Sequence, residues 1–148
     1  MSKNVSLANV THDDLRSLLG TYCMSEPGIV IGSSDAKKVK TTNTVTYCID
    51  GIIYTAATAE TVFTDVTVQA ASTTKYYMLS INAGGTFVIT NGAVVGDLPD
   101  TPADYCPLGY VRVVTDATGT FIPATDDLSD AAVTDTYYDF CRKPVSLA

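Results

Sequence analysis

Two β-branched residues dominate this chain: threonine supplies 22 and valine 16 of its 148 residues. β-Branched side chains have a restricted χ1 angle, which disfavours helices and suits the pleated, half-buried surface of a strand. The chain is long enough for one domain, or for one domain with an arm. We therefore predict an all-β protein with an antiparallel β-sandwich or barrel-like body, and we do not expect a helical bundle or a coiled coil.

Charge is distributed unevenly along the chain. Residues 1–40 include five basic and four acidic residues, whereas residues 41–148 include four basic and twelve acidic ones. This difference predicts two parts, an N-terminal arm over 1–40 and a β body over 41–148. Because the net charge is −7, the chain should be repelled by phosphates, and nucleic acid is not an expected partner.

The N-terminal arm contains a helix signal. Thr11 suits an N-cap, Asp13 and Asp14 suit the positive end of the helix dipole, and Gly20 suits the stop. A short helix at about 11–20, with a leucine stripe, is too short to persist alone in water, so it should dock on the body or on a partner. The residues predicted to make partner contacts, in the helix and after it, are Val10, Leu15, Leu18, Leu19, Tyr22, Lys37, Lys38 and Lys40.

The first hairpin of the body is predicted by its turn. Asp50-Gly51 is a preferred pair for a two-residue type I′ turn between alternating strands. This turn would place Ile49 opposite Ile52, and Tyr47 opposite Tyr54.

Other strands are predicted from alternation and turn residues. A second hairpin should have strands at 75–81 and 86–90, and a third should run through 108–114 and return through 120–122. Further strands are predicted at 29–31, over the alternating segment 62–68, and at 136–141, where the strand would close the fold.

The cysteines are spread widely, at positions 23, 48, 106 and 141. They include no C-x-x-C pair, so we expect reduced and mostly buried thiols, with disulfides formed in an oxidising medium as the alternative. A zinc site needs ligand pairs close in sequence, and the single histidine, His12, lies in the predicted helix. No metal site is therefore predicted.

Motifs that support catalysis are not found. The chain has no G-x-S-x-G elbow, phosphate-binding loop or H-E-x-x-H pair. Two acidic clusters, within 97–104 and 126–130, lack EF-hand spacing and are interpreted as solvated turn carboxylates, with calcium ligation as the alternative. We predict a protein that is not an enzyme and needs no cofactor.

Signals for export or membrane insertion are also not recognised. The first residues lack an apolar h-region followed by a cleavage site. No apolar stretch approaches the roughly 20 residues that span a bilayer. Synthesis in a cytoplasm and no association with a membrane are expected.

Adjacent tyrosines occur twice, at Tyr76-Tyr77 and Tyr137-Tyr138. Neighbouring residues of a strand point to opposite faces, so one ring of each pair should lie in the core and the other outside. An outward tyrosine suits an oligomer or partner interface, and a carbohydrate surface is the alternative.

Six segments between about residues 36 and 140 form a recognisable succession of motifs: 53–57, 73–80, 84–87, 98–99, 106–111 and 120–125. The last two are Cys106-Pro107-Leu108-Gly109-Tyr110-Val111 and Thr120-Phe121-Ile122-Pro123-Ala124-Thr125. This succession resembles a group of small tailed-bacteriophage virion proteins of the capsid decoration (cement) or head fibre type. The resemblance implies a β-sandwich or β-tulip-like body, a homotrimer, attachment to the major capsid protein, and no cofactor. The first 35 residues match the group poorly.

The predicted function is therefore that of a structural protein that decorates and stabilises the outer surface of a phage capsid by bridging major capsid protein subunits. The protein would be made in the host bacterial cytoplasm and located in the virion, with the arm towards the shell. The alternative is a phage tail or fibre-associated protein, with a receptor- or carbohydrate-binding module. A binding module or small enzyme outside the virion is a third hypothesis.

Overall fold

The structure is a computed structural model that describes residues 20–64, 66–92 and 97–141. This part of the chain contains ten β-strands in three antiparallel sheets and no helix, which confirms the predicted all-β class. The helix predicted at about 11–20 lies outside the described residues except for Gly20, and so do Val10, Leu15, Leu18 and Leu19.

The strands follow one another along the chain without intervening helices. They are β1 (Tyr22–Cys23), β2 (Ile29–Ile31), β3 (Lys38–Thr41), β4 (Val45–Ile49), β5 (Ile52–Ala56), β6 (Glu60–Val62), β7 (Thr74–Asn82), β8 (Phe87–Asn91), β9 (Tyr105–Thr115) and β10 (Val133–Asp139). The strand orders in the sheets are β1-β4-β5, β10-β9-β7-β8 and β2-β3-β6.

The β4–β5 hairpin forms as predicted. Asp50 and Gly51 both have positive φ, at 48° and 77°, as a type I′ turn requires. Tyr47 is paired with Tyr54 across the hairpin, and the two rings are stacked with centroids 5.6 Å apart. The same side of β4 faces the core.

The β7–β8 hairpin is also confirmed, but the third predicted hairpin is wrong. β9 pairs with β7 on one side and with β10 on the other. β10 corresponds to the closing strand predicted at 136–141, but it begins earlier, at Val133, and ends at Asp139. The segment 120–122 forms no strand, since Phe121 bridges to Gln69 instead and is fully buried. In place of the predicted return strand at 120–122, β9 forms a seven-residue ladder with β10. The ring of Phe121 is buried in the core.

Two other predictions need correction. The alternating segment after residue 62 does not continue as a strand, and Val66 and Val68 are 62% and 52% exposed. A boundary at residue 40 does not separate an arm from a body either, because β1 pairs with β4 and β3 pairs with β6. Residues 20–40 therefore belong to the sheets.

A single hydrophobic cluster joins the three sheets. Tyr47 comes from the first sheet, Leu79 and Val111 from the second and Val39 from the third, and each is at most 1% exposed. The carboxylate of Asp139, at the end of β10, also reaches the third sheet. It accepts hydrogen bonds from the backbone N–H groups of residues 28 and 29, both at 3.0 Å.

Gln69 is a fully buried polar side chain that contacts the cluster, and both ends of its amide are hydrogen-bonded. Its Nε2 donates to the carbonyl oxygens of Thr73 (3.2 Å) and Val113 (3.0 Å). Its Oε1 accepts a hydrogen bond from the hydroxyl of Tyr77 at 3.0 Å. The backbone of Gln69 exchanges two further hydrogen bonds with Phe121. One side chain thus joins the loop before β7 to the two central strands.

The carboxylate of Glu60, at the start of β6, holds the loop after β2. It accepts hydrogen bonds from the backbone N–H and the hydroxyl of both Ser33 and Ser34. These donors, led by the Ser34 hydroxyl, lower the pKa of Glu60 to about 2. The third sheet therefore has an acid-sensitive contact at its edge.

We predict that Gln69→Leu lowers the free energy of unfolding by about 2–4 kcal/mol, because three hydrogen bonds are lost in a buried site. Urea unfolding followed by circular dichroism measures the change. The control is Val68→Leu, at the exposed neighbouring position, which should change stability by less than about 0.5 kcal/mol. Equal stabilities of the Gln69 variant and the unmodified chain would contradict this role.

We predict that the Glu60 contact is lost between about pH 4.5 and pH 2. Its pKa in the folded chain is lowered from an ordinary 4.5 to about 2, so the contact stabilises the fold fully above pH 4.5 and weakens as the pH falls. The melting temperature of Glu60→Gln should lie below that of the unmodified chain by a constant amount above pH 5. This difference should shrink below pH 4.5, and a difference independent of pH would contradict the prediction.

Candidate interaction surface

The outward face of the four-stranded sheet gathers aromatic side chains from three strands. Met78, Tyr110 and Tyr138 occupy one row of Cα partners across β7, β9 and β10. Tyr76 and Arg112 are partners in the adjacent row. Residues in register on neighbouring strands have side chains on the same face, so the rows bring residues distant in sequence together.

We call the residues Tyr76, Tyr110, Tyr138 and Phe140 the aromatic face. The rings of Tyr110 and Tyr138 are stacked, with centroids 4.7 Å apart and planes at 20°. Tyr76 contacts Tyr110 edge to face at 5.5 Å, and Phe140 lies 5.6 Å from Tyr110. Tyr110 is thus the centre of the aromatic face, and Tyr138 is its outermost ring, at 43% exposure.

The opposite side of these strands is tightly packed. Tyr77 and Val113 are fully buried and Val111 is 1% exposed. The ring of Tyr77 meets those of Phe63 and Phe121 edge to face, with centroids 5.0 and 6.1 Å away. The aromatic face therefore stands on a packed sheet, which limits the conformational entropy that a partner would have to remove on binding.

The tyrosine pairs behave as the alternation predicted. Tyr77 is buried while Tyr76 is on the outward face, and Tyr138 is exposed while Tyr137 packs against the core. The hydroxyl of Tyr137 donates to the carboxylate of Asp135, on the same side of β10. Burial, followed by this hydrogen bond, raises the pKa of Tyr137.

The environment of Tyr110 extends the pH range over which the centre of the aromatic face is neutral. Burial raises the pKa of Tyr110, and the neighbouring hydroxyls of Tyr138 and Tyr76 raise it further, while Arg112 acts in the opposite direction. Neutral tyrosines beside an arginine are a composition typical of the centre of protein interfaces. This arrangement can bind a surface by ring packing and hydrogen bonding.

The predicted partner-contact residues within the described part of the chain do not form one site. Lys38 and Lys40 lie on the outward side of β3, and Lys37 precedes them in a turn. Tyr22 lies on β1, in a different sheet, paired with Cys48. Sequence reasoning missed Tyr110 and Phe140, because only the long-range pairing of β9 with β7 and β10 brings them to the outward tyrosines.

The second acidic cluster, within 126–130, contains turn carboxylates. Asp126 accepts a hydrogen bond from the N–H of Ile122 at 2.7 Å, and Asp130 accepts one from the N–H of Ala132 at 2.8 Å. Within residues 20–64, 66–92 and 97–141, no group of three histidine, cysteine or acidic residues could hold a metal ion. The same residues include no helix long and apolar enough to cross a bilayer.

Two of the cysteines line a cavity of about 450 Å³ beside the aromatic face. Cys23 donates to the carbonyl of Ser25 at 2.9 Å, and Cys141 donates to the carbonyl of Met24 at 3.6 Å. Burial raises the pKa of Cys23 to about 11. The cysteines are free thiols, buried at positions 23, 48 and 106 and partly exposed at 141, as predicted from their spacing.

Comparison of the chain with protein-family models, with curated proteins and with solved structures found no match. The resemblance to tailed-phage virion proteins therefore depends only on the six sequence segments between about residues 36 and 140.

We predict that a thiol reagent such as an aromatic disulfide modifies one cysteine rapidly at pH 7.5. Cys141 is partly exposed, whereas burial raises the pKa of Cys23 to about 11 and that of Cys106 to about 12, so few reactive thiolates form there. Absorbance should show one fast thiol in the folded chain and four after unfolding. Cys141→Ser should remove the fast reaction and Cys48→Ser should not, so four equal rates would contradict this assignment.

Proposed function

We propose that this chain is a structural protein of a phage virion that decorates the outer surface of the capsid. In this role it bridges major capsid protein subunits and stabilises the shell. Its body would be a β-sandwich or barrel-like unit, with a short helix at about 11–20 in an N-terminal segment that faces the shell. The proposal includes a homotrimer and no enzymatic activity.

The aromatic face is the observation on which this proposal depends most. It places three tyrosines, a phenylalanine and Arg112 on a packed sheet, with Tyr138 at 43% exposure. Such a surface supports binding to protein, because aromatic residues and arginine contribute a large share of the energy at interfaces. The lysines of β3, on another sheet, offer a separate positive contact.

The attachment of a decoration protein is repeated at each equivalent site of a shell. A contact of about 800 Å² per partner is sufficient for specific binding. Repetition of that contact by the three chains of a trimer would raise the overall affinity through effective concentration. A modest aromatic face in each chain is therefore adequate for a stable decorated shell.

We predict that Tyr138→Ala weakens binding to expanded capsids that lack this protein by about tenfold or more, which corresponds to about 1.4 kcal/mol. Co-sedimentation of the purified chain with the capsids measures the affinity. The matched control is Val62→Ala on β6, because Val62 is exposed to a similar degree, 45% against 43%.

Two results would contradict the proposal. One is the absence of binding by the unmodified chain to these capsids. The other is labelling of this protein at a single vertex of the virion rather than over the whole shell by electron microscopy, which would favour a tail or fibre position.

A carbohydrate-binding tail or fibre protein is the second candidate. The exposed ring of Tyr138 favours it, since an aromatic ring can pack against the apolar face of a sugar. Binding of the unmodified chain to defined glycans on an array, with loss in Tyr138→Ala, would support this alternative.

A further inference from the structure

Strand β5 has an exposed outer edge. It is the last strand of its sheet and has extensive contact only with β4 among the described strands. The other edge strands each pack against a strand of another sheet. β1 packs against β9, β6 packs against β8, and β10 packs against β2. The edge of β5 is therefore a distinct feature of the surface.

The backbone groups at this edge belong to Ile53 and Thr55. Thr46, the partner of Thr55, directs its own groups towards β1: its carbonyl accepts from Met24 N–H at 2.9 Å, and its N–H donates to the hydroxyl of Ser25 at 2.7 Å. In an antiparallel pair, opposite residues point their peptide groups either towards each other or both away. Thr55, and Ile53 two residues before it, therefore direct N–H and C=O outward.

The side chains of β5 do nothing to block this edge. The strand has no charged residue and no proline, and its pairing with β4 has no bulge. Charges, prolines and bulges are the usual means by which proteins prevent an edge strand from pairing. Ile53 is moreover 61% exposed and Ile52 37%.

We propose that β5 pairs antiparallel with β5 of a second copy of this chain, about a two-fold axis at Tyr54. In this register Ile53 of each chain lies opposite Thr55 of the other, and the two pairs exchange four backbone hydrogen bonds. Every outward group of these residues is then satisfied, so the edge is complementary to itself.

The charge distribution favours this register for a chain of net charge −7. About this axis, the numbers of two paired residues add up to twice 54. Asp50 therefore lies opposite Thr58 of the second copy. The nearest carboxylates are thus opposite uncharged residues, whereas a parallel arrangement would bring the two Asp50 side chains together. The acidic chains can approach here without direct repulsion between like charges.

The contact is small. Two five-residue strands bury less than the 1,200–2,000 Å² typical of stable complexes, so we expect association at about 0.1–1 mM protein. The two-fold contact involves neither the aromatic face nor the lysines of β3. It therefore does not depend on the proposed capsid function and would join two units whatever surface they bind.

Amide hydrogen exchange by NMR, with sedimentation equilibrium, tests the pairing. The amides of Ile53 and Thr55 should become about two- to fourfold more protected between 20 µM and 1 mM, as dimers form with the expected affinity. The amide of Tyr54, which points to β4, should be protected at both concentrations. Ile53→Lys should abolish dimers and the added protection.

Val62→Lys is the matched control, since it adds the same charge at an exposed valine of β6 and should leave the dimer unchanged. Thr55→Pro is a second disrupting variant, because it deletes an outward N–H and leaves the N–H groups that point to β4 in place.

Three results would overturn the proposal: unprotected amides of Ile53 and Thr55 at 1 mM, full protection of both in a monomer at 20 µM, or association that Ile53→Lys does not weaken. The second result would show that the edge is covered within one chain. Retained association in both disrupting variants, with their spectra otherwise unchanged, would place the contact between copies elsewhere.

Discussion

The pairing of β9 with β7 is the interaction on which the rest of the structure depends. β9 is the longest strand, and it joins β10 to the sheet while β7 joins β8. Its inward residues, such as Val111 and Val113, lie in the core, and its outward residues, Tyr110 and Arg112, form the centre of the candidate surface. Stability and binding thus use opposite sides of one strand.

A shift in register accompanies this pairing. Leu79 is paired with Gly109, but the next residue, Ser80, is paired with Pro107. A Cβ atom at position 109 would lie 2.1 Å from the carbonyl oxygen of Tyr138, so glycine permits β10 to approach here. The close approach allows Tyr138 to pair with Tyr110 in the ladder of β10 and β9, so this glycine is one requirement of the aromatic face.

Side-chain hydrogen bonds to backbone join parts of the fold that strand ladders do not reach. The amide of Gln69 connects the loop before β7 with β9, and the carboxylate of Asp139 connects β10 with the start of β2. The carboxylate of Glu60 holds the loop after β2. Gln69 and Asp139 each bond to more than one backbone group, which offsets the cost of removing them from water.

Local patterns predicted the local parts of this fold. Asp50-Gly51 sets the register of β4 and β5 through its turn geometry, and alternation with a glycine turn identified β7 and β8. The strand that pairs with β9 after its turn could not be predicted, because residues 120–122 alternate as a strand does. Only two long-range contacts exclude that pairing: the bridge of Phe121 to Gln69 and the ladder of β9 with β10.

The candidate surface was predictable only in part. Adjacent tyrosines indicated that one ring of each pair is outward, but their meeting at Tyr110 depends on the register of three strands. That register results from contacts between segments far apart in the sequence, which periodicity cannot reveal. The predicted partner contacts at Tyr22 and at the lysines of β3 were accordingly not brought together.

The hydrogen bonds of Asp139 also affect when the protein can complete its fold during synthesis. The carboxylate and its partner N–H at Ile29 are 110 residues apart. At about 5–20 residues per second, the ribosome adds Asp139 roughly 5–20 s after it adds β2. Contacts of such long range also slow folding. The third sheet therefore reaches its final position only after β10 has been synthesised, and until then its first strands depend on local pairing alone.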